Sequence, residues 1–236
     1  MAKAKVKKQS TFIDMTAMSD VTVLLLTFFM LTSTFVQKEP IQVNTPASVS
    51  EIKIPETNIL TILVNEQGKI FLGLDNPADK EAALKAVGED YGYVFTAEQI
   101  NRFKNLATFG VPMSVMKEFL DKNTEQQDKY MQEVTNPRVG IPTDSVAVSD
   151  AAGKEISKDN EFKRWVGHAK RVARERQENL VISKKQDEVY DLRIAIKADQ
   201  STSYPIIKKV MDDLGEMREY KYLLITNLRT ASTENK

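Results

Sequence analysis

Apolar residues along this chain fall in several spacings, and each spacing predicts a different element. From 21 to 36 the sequence VTVLLLTFFMLTSTFV contains no charge, no glycine and no proline. Taken with Ala17, Met18, Ser19 and Asp20, it reaches the ~20 residues that a ~30 Å hydrocarbon core requires. The pattern predicts a membrane helix over 13–36. Residues 59–64 and 69–73 are β-rich runs flanking a turn at 65–68 that ends in Gly68, which predicts a β-hairpin. Leu192, Ile194, Ile196 and Ala198 alternate with Arg193, Ala195 and Lys197, the pattern of a strand with one covered face. Ile206, Ile207, Val210, Met211, Leu214 and Met217 recur at helical spacing over 204–218, ahead of a last strand at 222–226. Strand, helix and strand together make a βαβ crossover.

The rest is shorter in period. Helices are predicted over 79–87, 96–107, 113–121 and 124–134, with Thr96/Gln99 and Thr124/Gln127 as capping boxes. A longer basic helix covers 160–177, and 136–153 reads as a Pro/Gly/Ser/Asp loop. Residues 37–56, which carry Pro40, Pro46 and Pro55, read as an extended polar linker. The last residues, 229–236, read as a disordered tail.

Charge distribution gives these elements an orientation. Lys3, Lys5, Lys7 and Lys8 crowd the start of the chain, and no acid precedes Asp14. Basic residues ahead of a membrane helix stay on the cytoplasmic side, which places 1–12 in the cytoplasm and the bulk of the chain across the membrane. The apolar stretch is longer than a signal-peptide core, and Ser33-Thr34-Phe35 is a poor cleavage site, so the helix reads as a retained anchor. Elsewhere charge is balanced, with 33 Lys+Arg against 33 Asp+Glu. The run Lys163, Arg164, His168, Lys170, Arg171, Arg174, Arg176 is interrupted by Glu161, Glu175 and Glu178, with Trp165 and Val166 turned to a core. It reads as a solvated helix face, not a nucleic-acid site. Asp212 and Asp213 read as solvent-facing.

Several chemistries are excluded. The chain has no cysteine, which removes disulfides and thiolate metal sites. His168 is the one histidine, which argues against a histidine metal site or a serine-type triad. No glycine-rich phosphate loop is present. No catalytic constellation emerges, and neither a cofactor nor a metal is expected.

What remains is Asp20, the single ionisable residue within the predicted span. A carboxylate there costs about 2.5–3.5 kcal/mol near a helix centre and less toward an end. One reading makes it a helix cap at the cytoplasmic end. At 100° per residue, however, Thr16, Thr27 and Thr34 fall within about 40° of Asp20. A stripe of hydroxyls around a carboxylate belongs against a protein partner or a wet cavity, not lipid. Threonine can also bond back to its own helix and then needs no partner. A single span cannot enclose a channel, so an acid used to carry protons must sit among another subunit's helices.

The sequence IDMTAMSDV at 13–21, followed by LLLTFFM at 24–30, resembles the N-terminal signature of the ExbD/TolR family. Ala17 stands where that family usually has proline, Ser19 where it has an apolar residue, and Asp14 where asparagine is frequent. The segment 194–199, IAIKAD, followed by Tyr204, is similar to the family's strand-to-helix element. The resemblance implies one membrane helix and an α+β periplasmic domain, a small mixed sheet with helices, built from 57–74 and 180–228. Residues 75–179 are then a largely helical insertion, of which 75–157 exceeds the family's compact domain. The resemblance further implies a non-enzymatic, proton-motive-force-driven energy transducer in the inner membrane, with Asp20 as proton carrier. Its implied partners are an ExbB-like pentameric channel subunit, a second copy or paralogue as a dimer, a TonB-like protein and the lipid bilayer. Alternatives are a TolR-like envelope-maintenance subunit and a membrane-anchored periplasmic binding or scaffold protein. A MotB-like stator lacks its peptidoglycan-binding pattern here.

Overall fold

The computed structural model describes residues 15–33, 41, 43–48, 57–133, 135–144, 148–149, 155–157, 160–183, 188–225 and 227–228. The expected cytoplasmic tail at 1–12, the end of the expected span at 34–36, most of the linker and the tail at 229–236 lie outside them. The chain divides into two units, Met1–Gln37 and Lys38–Lys236.

Among the described residues of the first unit, helix α1 runs Met15–Thr32. Among the described residues no helix is long and apolar enough to cross a membrane. The 18 residues of α1 rise ~27 Å against a ~30 Å core. Asp20, Ser19 and the threonines dilute its hydropathy. The helix described is therefore shorter than the span expected over 13–36.

The second unit is built on a sheet. In chain order its elements begin with β1 (Ala47–Ser48), β2 (Ile59–Val64), β3 (Ile70–Leu74) and α2 (Pro77–Asp90). Three short helices follow: α3 (Ala97–Asn105), α4 (Met113–Asp121) and α5 (Thr124–Gln132). After β4 (Val148–Ser149) and β5 (Glu155–Ser157) comes the long α6 (Glu161–Ile182). The chain then forms β6 (Arg193–Ala198), α7 (Tyr204–Glu216), β7 (Tyr222–Leu224) and β8 (Asn227–Leu228). The main sheet has the order β3-β2-β6-β7, and β1 pairs with β8 and β4 with β5 in two small ladders. β2 and β3 are antiparallel, while β6 lies parallel to β2 and β7 parallel to β6.

The hairpin turn shows why this sheet forms locally. Asn65 Oδ1 accepts from the amides of Lys69 (2.8 Å) and Gln67 (3.2 Å), and Gly68 takes a left-handed φ of 77°. A type I turn closed by a left-handed glycine matches the twist of the two strands. Glycine is required there twice over, because a methyl at that position would lie 2.3 Å from Cδ1 of Ile206 on α7.

Both faces of the sheet are covered at its centre. The alternation predicts one covered face for β6; instead Ala195 is as buried as Ile194 and Ile196. A parallel strand flanked on both sides is normally buried on both faces, and alanine is small enough to serve on the second one. The free edge of β3 is also covered. Leu72 and Phe109 exchange backbone hydrogen bonds of 2.7 and 2.8 Å, and Ile141 donates to the carbonyl of Ile70 at 2.9 Å. Unpaired edge groups invite association, and the helical segment that follows the hairpin removes them here.

The helices hold one another through side chains that cap their ends. Buried Lys80 on α2 donates to the carbonyls of Leu106 (2.6 Å) and Lys104 (3.2 Å) at the end of α3. Burial holds its amine below the usual lysine range. Arg102 on α3 donates in turn to the carbonyls of Leu120, Asp121 and Lys122 at the end of α4. These are the carbonyls that a helix C-terminus leaves without intrahelical partners. Thr96 and Gln99 form the expected capping box of α3. The box expected from Thr124 and Gln127 sits one residue earlier, on Asn123 and Gln126. Asparagine caps as well as threonine, and the shift turns Gln127 inward, where it donates to the carbonyl of Phe119 at 3.1 Å.

The aromatic centre is Trp165 on α6, stacked on Phe103 with centroids 6.0 Å apart and tilted against Phe109 at 4.7 Å. Such pairs contribute about 0.5–1.5 kcal/mol beyond area burial. Along the rest of α6 the basic residues are paired: Lys163 with Asp213 (3.2 Å) and Glu216, Arg164 and His168 with Asp90, Lys170 with Glu219, Arg176 with Asp79. Asp213, expected at the surface, is therefore buried against α6, because its helix turns it toward Lys163; Asp212 stays exposed.

Gly110 tests the packing. A methyl there would lie 2.0 Å from Cδ1 of buried Phe71. Gly110→Ala should destabilise the second unit by about 1–3 kcal/mol, read as a lower denaturant midpoint with an unchanged slope.

Candidate functional site

The carboxylate that the sequence singles out lies on α1. The helix forms because its residues carry neither proline nor glycine, and Leu24, Leu25 and Leu26 are strong helix formers. Its apolar residues are spread around the whole circumference. Met18, Val21, Val23, Leu24, Leu25, Leu26, Phe28, Phe29, Met30 and Leu31 are all exposed, from 55% at Leu25 to 87% at Leu31. A helix that is apolar all round is found in the core of a large protein or in a membrane. Asp20, in its N-terminal half, is the one ionisable side chain of α1.

Thr16, one turn before Asp20, and Thr27, two turns after, lie on the same side of the helix. Thr16, Ala17, Ser19, Asp20 and Val23 line one open hollow. The Thr27 hydroxyl donates to the carbonyl of Leu24 at 2.9 Å, and Thr32 does the same to Phe28 at 2.8 Å. Thr22, off the stripe, bonds back to Met18 and Ser19. Threonine on α1 is thus satisfied by its own helix at these three positions. Thr34, and the cytoplasmic anchor of Lys3, Lys5, Lys7 and Lys8, lie outside the described residues.

The two residues of the second motif lie in the second unit, at the turn between β6 and α7. Asp199 Oδ1 accepts from the hydroxyl of Ser201 and from its amide at 2.9 Å, and Oδ2 accepts from the amide of Asn44 at 2.9 Å. The Ser201 hydroxyl, then its amide and that of Asn44, hold the carboxyl below the usual carboxylate range. Gln200 also donates to the carbonyl of Asn44 at 2.9 Å, so the segment before β1 is tied to the end of β6. Tyr204, the first residue of α7, is exposed. Asp199 is an organiser of backbone in this structure, while Tyr204 presents its ring to solvent.

Two buried carboxylates escaped the sequence. Arg176 Nε is shared between the oxygens of Asp79 at 2.8 and 3.0 Å, and its Nη2 donates to Asn58 at 3.0 Å. Burial nevertheless keeps the Asp79 carboxyl above its usual range. Glu161, at the start of α6, is buried beside Trp165. The pairing of Asp79 leaves no local signal, since Arg176 is 97 residues away.

Residues 7–93 match the family model described as "Biopolymer transport protein ExbD/TolR". The matched stretch takes in α1, the hairpin of β2 and β3, and α2. No curated protein and no solved structure matches the chain.

Replacing Asp199 by alanine removes three hydrogen bonds from one turn. Such side-chain-to-amide bonds contribute about 0.5–2 kcal/mol when they cap a backbone turn. Asp199→Ala should lower stability by that order, and hydrogen exchange should quicken at the amides of Asn44 and Ser201.

Proposed function

We propose, from the match of residues 7–93 to the model of the ExbD/TolR biopolymer-transport family, that this chain is the proton-responsive subunit of an inner-membrane energy-transducing complex. The observation that carries the reading is α1 itself, an apolar circumference that its own chain leaves exposed, interrupted by one carboxylate. Lipid and the helices of an ExbB-like channel subunit would cover that surface, with α1 and residues flanking it completing the single span. The N-terminus is then cytoplasmic and the second unit periplasmic, as the lysine cluster suggests.

In this reading Asp20 takes a proton from one side and releases it to the other. Neutralisation removes the cost of holding a carboxylate away from water, about 2.5–3.5 kcal/mol. One charge crossing a 100 mV potential supplies about 2.3 kcal/mol. The two are comparable, so one proton suffices to move α1 between two arrangements against its partner. A second copy or a paralogue completes a dimer, and the periplasmic unit passes the motion to a TonB-like protein that serves import through the outer membrane. The nearest alternative for that last step is a Tol-type partner serving envelope integrity. Loss of receptor-mediated import without envelope leakage distinguishes the first from the second.

The internal hydrogen bonds of Thr27 and Thr32 favour a second reading, in which the stripe needs no partner and α1 only anchors a periplasmic binding or scaffold protein. Asp20→Asn separates them. Transduction predicts an assembled complex with import reduced to the level of a deletion strain. Unchanged import in that variant would leave the anchor reading. Thr27→Val should have little effect under either, since its hydroxyl is satisfied within α1.

A further inference from the structure

Helix α4 begins without a cap of its own: its N-cap position is Pro112, which offers no side-chain acceptor. The acceptor comes from 48 residues later in the chain. Glu161 Oε1 accepts from the amide of Met113, the first residue of α4, at 2.8 Å, and from the indole Nε1–H of Trp165 at 3.3 Å. Around it Val111, Met113, Phe162 and Trp165 are almost completely buried. A helix N-terminus favours a negative charge, but two donors on one oxygen are poor compensation for removing a carboxylate from water.

We propose that Glu161 is a proton-operated latch between α6 and α4, closed when its carboxyl is protonated and loosened when it ionises, so that the acidity of the surrounding medium sets how firmly α3, α4 and α5 are held to α6.

The described charged side chains on the elements packed nearby are engaged with other partners. On its own helix, Lys163 faces Asp213 and Glu216, and Arg164 faces Asp90. On α4, Lys117 lies over the ring of Tyr93 and Glu118 pairs with Lys122. On α3, Arg102 and Lys104 are engaged with the end of α4 and with Glu81. In the loop before α6, Asp144 pairs with Lys209. Among the described residues the cations named here are engaged elsewhere, and burial raises the Glu161 pKa to about 7, against the two hydrogen bonds that lower it.

The sign follows from linkage. A carboxyl that titrates near 4.5 when hydrated and about 7 in the closed joint binds its proton more tightly when closed. The closed joint is therefore favoured below about pH 4.5, weakens as pH rises toward about 7, and changes no further above that. Within that window the open fraction rises by up to about tenfold per pH unit, one proton being released on opening.

The test uses the full chain in mild detergent. Hydrogen exchange of the α4 amides, corrected for the intrinsic pH dependence of exchange, should show opening that grows between about pH 5 and about pH 7 and then levels. In Glu161→Gln, which keeps an acceptor for Met113 but cannot ionise, the dependence should vanish. Trp165 is the one tryptophan of the chain, so its emission in the unaltered protein follows the same titration and serves if the variant does not fold. A wild-type α4 that opens equally at all these values, a variant that keeps the dependence, or a Trp165 emission flat across the range would overturn the proposal.

Discussion

A helix that presents leucine and phenylalanine on every side cannot be left in water. Fully burying one such side chain is favourable by about 1.5–3 kcal/mol, and α1 exposes ten large apolar residues. Such a surface calls for a cover. The same requirement governs Asp20, since a cover made only of lipid would leave its carboxylate unsolvated. Lipid for most of the circumference and polar protein or water near one side chain is the arrangement that satisfies both. The proposed role in a membrane complex would supply such a partner, and the match of residues 7–93 to the ExbD/TolR family model is consistent with it.

The second unit meets a different constraint. A four-stranded mixed sheet offers two faces and two edges, and the helices between β3 and β6 serve several of these needs at once. They seat Phe103, Phe109 and Trp165 in the shared core, and their connecting segments pair with the free edge of β3. Long-range polar contacts then fix the geometry. Arg176 binds Asp79 and Asn58, joining the end of α6 to the start of α2 and of β2. Removing one partner from such a buried pair strands the other charge. β7, at the opposite side of the sheet, keeps Leu224 exposed.

Much of this was legible in the sequence where a single segment carries its own signal. The hairpin was, because Asn65 and Gly68 dictate the turn between two β-rich runs. The crossover was, because period two gives way to helical spacing at Tyr204. Legibility fails where a partner lies far along the chain. Nothing near Asp213 shows that Lys163 will meet it, and the alternation around Ala195 cannot reveal that both faces are covered. The capping box of α5 slipped by one residue because Asn123 and Thr124 are both competent caps. At Asp20 the sequence identified the residue and its neighbours on the helix, while what surrounds it in a complex leaves no signal in the chain. The cap that Glu161 lends to α4 had no sequence signal at all.

The most direct test of the central claim is a depth map of α1 in native membranes. The chain has no cysteine, so single cysteines at successive positions across α1 can carry a spin label without background. The account predicts that labels from 21 to 32 lie at hydrocarbon depth, with those at 20, 23 and 27 immobilised against protein. Labels that tumble freely in bulk water along the whole helix would contradict it.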